Sequence, residues 1–454
     1  MKVKEESSNL YPLLKVRNFG PLAGNPAKVK DEEGKEWDLI WPINRFNIFI
    51  GPQATGKSTL AKLAYFFMTV KDEVFREACD ALLLNIKEIS LKKITGVLVA
   101  KFFKWFGAKD EIGVDFLLQF SLKKGYSISI SMSETEKGLL IDFTQSLVQN
   151  ILKLSELVAT HVYGSERSDN ILWNKYKSDI FKTTNKLFFD NRSTIYIPSD
   201  RNDSIFPEHY VNVPESPEAN YKNLVWRLQV NFSNGLKQTK DDYMQIHRDE
   251  IFPDHLSKII ELSMKIMKNW DYRYDVRREY LYNDELDERI AFSLASSGQQ
   301  VGFRIIEILY YAAQGSLEGW PSTLLIEEPE LNLFPDSQMY MVQLIALFAN
   351  LSGNRVILTT HSPYILSTVD NLLYASHLGK QQKEKTNEIL PSLYWVNFGK
   401  LGAYYLDNGM LKDIREEKLK QIKTELIDSV SDTLLQQYDE LLNLDTDEET
   451  NETL

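Results

Sequence analysis

One eight-residue segment constrains the fold of this chain more than any other. Residues 51–58 read GPQATGKS and match the pattern GxxxxGK[ST] at every defined position. The apolar residues 46–50 (FNIFI) precede it, and the helix-favouring residues 58–67 follow it. A buried strand, a glycine-rich turn and a helix in this order predict a phosphate-binding loop in an α/β fold.

The residue types in this loop are those that nucleotide phosphates require. Glycines let backbone N–H groups turn towards phosphate oxygens, and the helix amino terminus adds the positive end of its dipole. Lys57 can reach the β- and γ-phosphates, and the Ser58 hydroxyl can coordinate Mg²⁺. The predicted nucleotide-binding residues of the loop are Gly51, Gln53, Thr55, Gly56, Lys57, Ser58 and Thr59. The sequence therefore predicts binding of ATP or GTP with Mg²⁺.

Two further apolar segments end in polar side chains. Residues 323–330 (TLLIEEPE) predict a strand that ends at Glu327 and Glu328. Such a strand end can direct one carboxylate at Mg²⁺ and the next at an attacking water. Residues 356–363 (VILTTHSP) place His361 at the carboxyl end of another predicted strand, where α/β sheets bind ligands.

A fourth segment, residues 294–300 (LASSGQQ), precedes a helical pattern over residues 301–313. Small residues before a helix leave its first N–H groups open to an anion. Many helix caps fit this description, so the segment indicates a function only together with the other three.

The total charge of the chain and its distribution indicate how well the chain suits a nucleic-acid partner. The 454 residues include 52 basic and 64 acidic ones, a net charge of −12, which disfavours a strongly basic nucleic-acid module. Seven of the acidic residues lie in residues 439–454, which contain no lysine or arginine, so more than half of the net charge belongs there. Residues 87–124 instead contain eight lysines and four acidic residues. DNA therefore stays a possible partner.

The cysteine count and the lengths of the apolar runs indicate the cellular compartment of the protein. Cys79 is the only cysteine, which excludes an intrachain disulfide and a cysteine-based zinc cluster. The apolar runs are much shorter than a membrane span, and the first residues lack the pattern of a secretion signal. We expect a cytoplasmic protein with no membrane partner.

The chain divides into four predicted regions of an α/β protein. We expect an ATPase core from residues 1–70 and 290–410. Between them, residues 71–289 predict a largely helical insertion, with possible strands at 115–121 and 126–132 and a return strand near 194–198. Apolar residues three or four apart predict a C-terminal helical segment over 411–443, before an acidic tail at 444–454.

Taken together and in this order, these segments resemble the ABC-type ATPase head. The resemblance rests on GPQATGKST, SLASSGQQ, LLIEEPELNLFP and VILTTHSPYIL, with RNFGPL near the start and YIPSDR at 196–201. It is strongest to the branch that includes structural-maintenance-of-chromosomes (SMC) heads and the OLD-like (overcoming lysogenization defect) ATPases. It implies a P-loop NTPase head with a mixed sheet, in which two heads sandwich ATP.

The resemblance also implies roles for single residues. Ser58 and Glu327 would hold the Mg²⁺ shell, Glu328 would be the catalytic base, and His361 would sense the γ-phosphate. Glu327 stands where an aspartate is commoner. Gln119 is a candidate for the glutamine that normally follows the first helix.

The same resemblance assigns roles across a dimer. Ser296, Gly298 and Gln299 would contact the nucleotide bound to the partner head, although this signature reads Ala-Ser-Ser-Gly-Gln instead of Leu-Ser-Gly-Gly-Gln. Asn332 lies where these families place the loop that communicates between heads. The expected assembly is a homodimer or a higher homo-oligomer of dimers.

The lengths of the segments between and after these motifs distinguish among the kinds of ABC ATPase. Far more residues separate Lys57 from Ser296 than in a transporter motor, and the absence of sustained heptads argues against long coiled-coil arms. The segment after His361 is short for an added nuclease domain. The chain resembles ATPase subunits of bacterial anti-phage systems of the Septu and retron-associated type, in which a separate nuclease or toxin is the effector. The alternatives are a DNA repair or recombination ATPase that acts directly on DNA and an ATP-dependent scaffold with little turnover.

Overall fold

A computed structural model describes most of the chain. It covers residues 11–107, 112–113, 115–132, 138–162, 170–201, 253–275, 278–423 and 435–441, together with Leu224, Leu236 and Lys240. The β-strands are Leu13–Arg17 (β1), Val29–Lys30 (β2), Glu36–Trp37 (β3), Leu39–Pro42 (β4), Phe46–Ile50 (β5), Phe116–Lys123 (β6), Tyr126–Met132 (β7), Leu140–Phe143 (β8), Ser193–Ile197 (β9), Asp271–Asp275 (β10), Arg278–Asn283 (β11), Glu288–Ala291 (β12), Ser322–Glu327 (β13), Arg355–Thr360 (β14), Leu401–Asp407 (β15), Met410–Asp413 (β16), Arg415–Glu416 (β17) and Gln421–Ile422 (β18). The α-helices are Lys57–Leu84 (α1), Leu91–Phe106 (α2), Gln145–Val162 (α3), Asn170–Leu187 (α4), Asp254–Ile266 (α5), Ser297–Leu317 (α6), Pro335–Asn350 (α7), Pro363–Leu378 (α8) and Lys383–Ile389 (α9).

The central sheet has the strand order β16-β15-β5-β14-β13-β9. Strands β15, β5, β14, β13 and β9 run parallel, and β16 adds an antiparallel edge. Every residue of β5, β13 and β14 is buried, as expected for parallel strands that are covered on both faces. Because the strands are parallel, their carboxyl ends meet at one edge of the sheet.

Helix α1 lies between the central sheet and a second, antiparallel sheet of order β4-β1-β6-β7-β8. The Phe67 ring stacks on Phe120 of β6 with centroids 5.4 Å apart. Tyr65 packs on Tyr196 of β9 at the same centroid distance. The helix that follows the glycine-rich loop is therefore held from two sides.

The other face of the central sheet packs on helices α5 to α8. Alternate residues of β14 point to opposite faces of the central sheet and so belong to different apolar clusters. Val356 and Leu358 belong to the cluster formed with these helices, whereas Ile357 belongs to the cluster around α1. This alternation follows from the two-residue period of a strand. The result is a layered fold with one apolar core on each side of the central sheet.

A three-stranded antiparallel sheet, β10-β11-β12, supports the start of α6. Tyr272 of β10 stacks on Phe303 of α6 with centroids 4.1 Å apart. Arg304 of α6 pairs with Glu279 of β11 and with Glu307 one turn further along the helix. These contacts fix the direction in which α6 leaves the small sheet.

The predicted α/β class with a mixed sheet is confirmed, and the strands expected near 115–121, 126–132 and 194–198 are β6, β7 and β9. The boundary suggested at residue 70 falls inside α1. Strand β6 pairs with β1, and β7 and β8 extend the same sheet, so the region after residue 70 contributes to a sheet shared with the chain's first strand. Apolar periodicity alone does not reveal such long-range pairing.

The prediction of a C-terminal helical segment over 411–443 is wrong for residues 411–423. This stretch forms β16, β17 and β18, with Ile414 and Ile422 buried against the core. Apolar residues at helical spacing are equally compatible with a tight hairpin, and the pairing of β17 with β18 decides the outcome here. Residues 435–441 are helical and exposed, whereas residues 424–434 and the acidic tail lie outside the described part.

Within the described ranges, none of the helices is long and apolar enough to cross a membrane.

Candidate nucleotide-binding site

The loop between β5 and α1 has a backbone that requires glycine at two positions. Gly51 has φ 153°, and a Cβ atom there would lie 2.1 Å from the carbonyl oxygen of Leu406. Gly56 has φ 97°, and a Cβ atom there would lie 2.6 Å from Cδ2 of Leu22. These conformations turn the loop tightly around the amino terminus of α1.

The amino terminus of α1 is open to an anion. The helical ladder begins where the Leu60 N–H donates to the Gly56 carbonyl at 2.8 Å, so the preceding N–H groups have no acceptor within the helix. Lys57 Nζ bends back over the loop and donates to the carbonyls of Gly51 (2.9 Å) and Pro52 (2.6 Å). Burial lowers the pKa of Lys57, and the nearby Glu328 opposes that shift.

The other predicted loop residues lie around this terminus. The Thr55 hydroxyl donates to the Pro52 carbonyl at 3.0 Å and closes the turn. Gln53 and Ser58 are exposed, and Thr59 is half-buried. The Ser58 hydroxyl is therefore accessible to a metal ion at the phosphate site.

Glu327, the last residue of β13, fits a cation site. The residue is 4% exposed, and its Oε2 accepts a hydrogen bond from the Ser199 N–H at 3.3 Å. Its Oε1 is buried without a hydrogen-bond partner. An unpaired buried carboxylate oxygen is costly unless a ligand satisfies it, and Mg²⁺ prefers oxygen ligands of this kind. Ser58 and Glu327 are thus the residues of this site that would hold Mg²⁺.

Glu328 and His361 face each other beside the loop. Glu328 has the left-handed φ of 44°, and its N–H donates to the Thr359 carbonyl at 2.8 Å. Its Oε1 lies 3.8 Å from Nε2 of His361. Burial lowers the pKa of His361, the Lys57 ammonium lowers it further, and Glu328 and a hydrogen bond with the Gly51 backbone oppose the shift. The net lowering of this pKa favours the neutral imidazole over the charged one.

Glu330 is a site residue that the sequence did not single out. Its Oε1 accepts hydrogen bonds from the Thr360 hydroxyl (2.8 Å) and from the His361 N–H (2.7 Å). Burial raises the pKa of Glu330, and these hydrogen bonds oppose the shift. The carboxylate therefore ties the loop after β13 to the end of β14. In the sequence, Glu330 can be recognised as the third acidic residue of the segment EEPE.

Arg201 is a second such residue, at the end of the segment YIPSDR. It is 3% exposed, and its Nη1 donates to the carbonyls of Pro198 (2.5 Å) and Glu327 (2.6 Å). Its Nη2 donates to the Glu328 carbonyl at 2.6 Å. One guanidinium thus binds the carbonyls of both predicted functional residues, one in each of the two peptides that flank Glu328. The sequence resemblance included this segment without indicating its role.

The signature segment lies at the start of α6, against the loop that contains Asn332. Ser296 Oγ accepts from the Gln299 N–H, and Gln299 Oε1 accepts from the Ser296 N–H, both at 3.2 Å. A Cβ atom on Gly298 would lie 2.3 Å from the Asn332 carbonyl oxygen. In the described part, the hydrogen bonds of Ser296 and Gln299 stay within this cap, and none reaches the phosphate loop.

The lysine-rich segment 87–124 contributes apolar side chains to the core around α1. Phe102 is fully buried between α1 and the antiparallel sheet, and Lys101 pairs with Glu73 of α1. Gln119 lies on β6 and donates a hydrogen bond to a serine of β7 at 3.3 Å. The half-buried Phe103, Trp105 and Phe106 pack against the same core, so these aromatic side chains have a structural role in the described part of the segment.

The fold and this site define a P-loop nucleotide-binding protein of the α/β class. A match to the family described as "AAA ATPase domain" spans residues 13–366. The chain therefore belongs to this ATPase family. None of the curated protein sequences matches the chain.

Solved structures with a similar fold include SMC head domains. The SMC head domain from Thermotoga maritima is 8% identical, covers 89% of this chain and 99% of its own, and superposes with a TM-score of 0.36. An SMC head bound to the C-winged helix domain of ScpA is 11% identical, with coverages of 88% and 95% and the same TM-score. A Pyrococcus furiosus SMC head with an extended coiled coil is 11% identical, with coverages of 88% and 94% and a TM-score of 0.35.

We predict opposite stability effects for two glycine-to-alanine substitutions in helices. Gly298→Ala should cost about 1–3 kcal/mol, because its Cβ meets the Asn332 carbonyl. The control Gly96→Ala, at an exposed helical position with open space around it, should stabilise by about 0.5–1 kcal/mol. Urea unfolding measures both changes, and equal stability of the two variants would contradict the close contact.

We also predict how two neighbouring charges shift the pKa of His361. Lys57→Ala removes a cation and should raise this pKa, whereas Glu328→Gln removes an anion and should lower it. Because the folded-state pKa lies below that of an unfolded histidine, His361 should also reduce stability as the pH falls through about 6.5. NMR titration, with His361→Gln to assign the ring signals, measures the shifts. Shifts of the reverse sign would refute the arrangement.

Proposed function

We propose that this protein binds and hydrolyses ATP with Mg²⁺ as an ABC-type ATPase, in which two copies close head to head around the nucleotide. The observation that supports this most is the gathering of Lys57, Glu327, Glu328 and His361 at the carboxyl edge of the parallel sheet. Open sheets of this kind bind their ligands at that edge.

Each of these residues has a distinct part in the proposed reaction. Lys57 would exchange its two carbonyl acceptors for phosphate oxygens. Ser58 and Glu327 would hold Mg²⁺, which neutralises charge on the phosphates when bound. Glu328, half-exposed beside the phosphate loop, would accept a proton from the attacking water. Neutral His361 would then lie on the γ-phosphate side, held by Glu330 through its backbone N–H.

The signature residues support a two-headed site. Ser296 and Gln299 have no hydrogen bond with the phosphate loop of their own chain among the described residues. Large apolar side chains beside them and beside the Asn332 loop are exposed: Leu294 is 81% exposed and Phe334 74%. Adjacent exposed apolar side chains mark interaction surfaces. We infer that a second copy covers this surface and supplies its signature residues to the nucleotide.

We further propose that ATP-dependent closure controls a separate effector, a nuclease or a toxin, in bacterial anti-phage defence. The support is the resemblance of the four ordered segments to ATPase subunits of such systems. Coexpression with candidate effector proteins, followed by copurification with and without ATP, tests this step. ATPase activity that DNA stimulates in the isolated protein would instead favour a repair or recombination ATPase.

We predict that Glu328→Gln binds ATP but hydrolyses it at least about 100-fold more slowly, because the amide cannot accept the proton of the attacking water. The variant should also persist as an ATP-bound dimer, measured by light scattering. Glu318→Gln, an exposed residue at the end of α6, is the matched control and should hydrolyse ATP normally. Wild-type turnover by Glu328→Gln would show that another group is the base.

We predict complementation between two inactive variants. Lys57→Ala removes the phosphate contact, and Ser296→Arg blocks the signature, so each variant alone should lack turnover. A mixed dimer contains one composite site with an intact phosphate loop and an intact signature. Mixing should therefore restore part of the ATPase activity, with a maximum at equal concentrations. An inactive mixture in which mass spectrometry detects mixed dimers would rule out the two-headed site.

A further inference from the structure

Basic side chains gather at the edge of the central sheet opposite the nucleotide site. Arg45 immediately precedes β5, Arg192 immediately precedes β9, and Arg355 begins β14. The phosphate loop and His361 instead follow the carboxyl ends of strands. The six residues of β14 separate Arg355 from His361 by about 20 Å. This cluster is therefore distinct from the ATPase site.

The three arginines line an open groove of about 470 Å³. Lys400 and Asn397, both exposed, lie on its rim. None of the described residues that line the groove is acidic. The groove therefore presents positive charge and amide donors, without a carboxylate to neutralise them.

Arg355 is the most unusual member of this cluster. It is 7% exposed, yet its Nε and Nη1 are buried without a hydrogen-bond partner. The carboxylate that faces it, Asp190, places Oδ2 4.0 Å away, beyond hydrogen-bonding distance, and accepts from Arg192 Nη1 through its other oxygen, Oδ1, at 2.9 Å. A guanidinium has five N–H donors, and leaving buried donors unbonded is costly. The geometry calls for a ligand with oxygen acceptors.

Arg192 and Arg355 share the carboxylate of Asp190, and the neighbouring Arg45 and Lys71 donate to backbone carbonyls. Arg45 donates to two backbone carbonyls at the end of α7, at 2.6 and 2.7 Å. Lys71 donates to the backbone carbonyls of Asp190 and Arg192. Burial and the nearby Arg192 lower the pKa of Arg355 to about 10 although Asp190 opposes the shift, and burial and Arg192 also lower the pKa of Arg45. The clustered cations thus repel one another, and an anion would relieve that repulsion.

We propose that this groove binds a phosphate group, carried either by a small phosphate compound or by a nucleic-acid backbone. Arg355 is its inner donor, and Arg45, Arg192 and Lys400 surround the anion. The planar guanidinium matches two phosphate oxygens at once, which a single lysine cannot do. The proposal does not depend on ATP hydrolysis, because the groove and the phosphate loop lie at opposite edges of the sheet.

The test measures binding of pyrophosphate and of a 12-base-pair DNA duplex by calorimetry. All proteins carry Lys57→Ala, so that the ATPase site contributes as little as possible. We expect Arg355→Gln to weaken binding of the recognised probe at least about tenfold and Lys400→Gln about threefold. Lys385→Gln, an exposed lysine on α9 outside the groove, is the matched control and should leave affinity unchanged.

The outcomes separate the two sources of phosphate. Binding of pyrophosphate alone identifies a small phosphate compound, whereas DNA binding that weakens steeply with salt identifies a nucleic-acid backbone. The proposal is overturned if neither probe binds, or if Lys400→Gln and Lys385→Gln bind equally well. Lys400 is exposed, so Lys400→Gln should fold normally. This variant therefore still tests the proposal if Arg355→Gln does not fold. If the wild-type chain, assayed separately, lacks ATPase activity while Lys400-dependent binding is observed, only the proposed function is refuted.

Discussion

The parallel pairing of β5, β14 and β13 determines which residues meet at each end of the central sheet. Ile50 lies opposite Thr360, and Glu327 lies opposite Thr359, so the three strands end almost level with one another. The residues that follow them therefore meet at one edge, although they are far apart along the chain. The same pairing brings the amino ends of β9 and β14 together at the other edge, where the arginines gather.

The carboxyl edge needs further support because its backbone is unfavourable at one position. Glu328 has a left-handed φ of 44°, which costs energy for a residue with a Cβ atom. Arg201 donates to the carbonyls of Glu327 and Glu328, one in each peptide that flanks Glu328, and Glu330 joins the loop to His361. These side chains lie on different strands or loops, so the geometry of the carboxylate depends on tertiary contacts.

The fold was predictable where one local signal was strong. Residues 46–58 specified a strand, a turn and a helix, and each appears as expected. The prediction was wrong for residues 411–423, where a helical spacing of apolar residues belongs to short strands. The shared sheet formed by β1 and β6 was also missed, because strand pairing between distant segments leaves no periodic signal in either one.

Local residue patterns are enough to specify the functional groups of this protein: a phosphate loop with its lysine, two carboxylates after an apolar strand, and a histidine after another. Local residue types specify these features because the loop needs glycine and the strand ends need polar side chains. Only the tertiary structure decided how they are held. The hydrogen bonds of Arg201 and of Glu330 and the buried Arg355 nitrogens without a hydrogen-bond partner all arise where distant segments meet, and no local pattern encodes a distance between such segments.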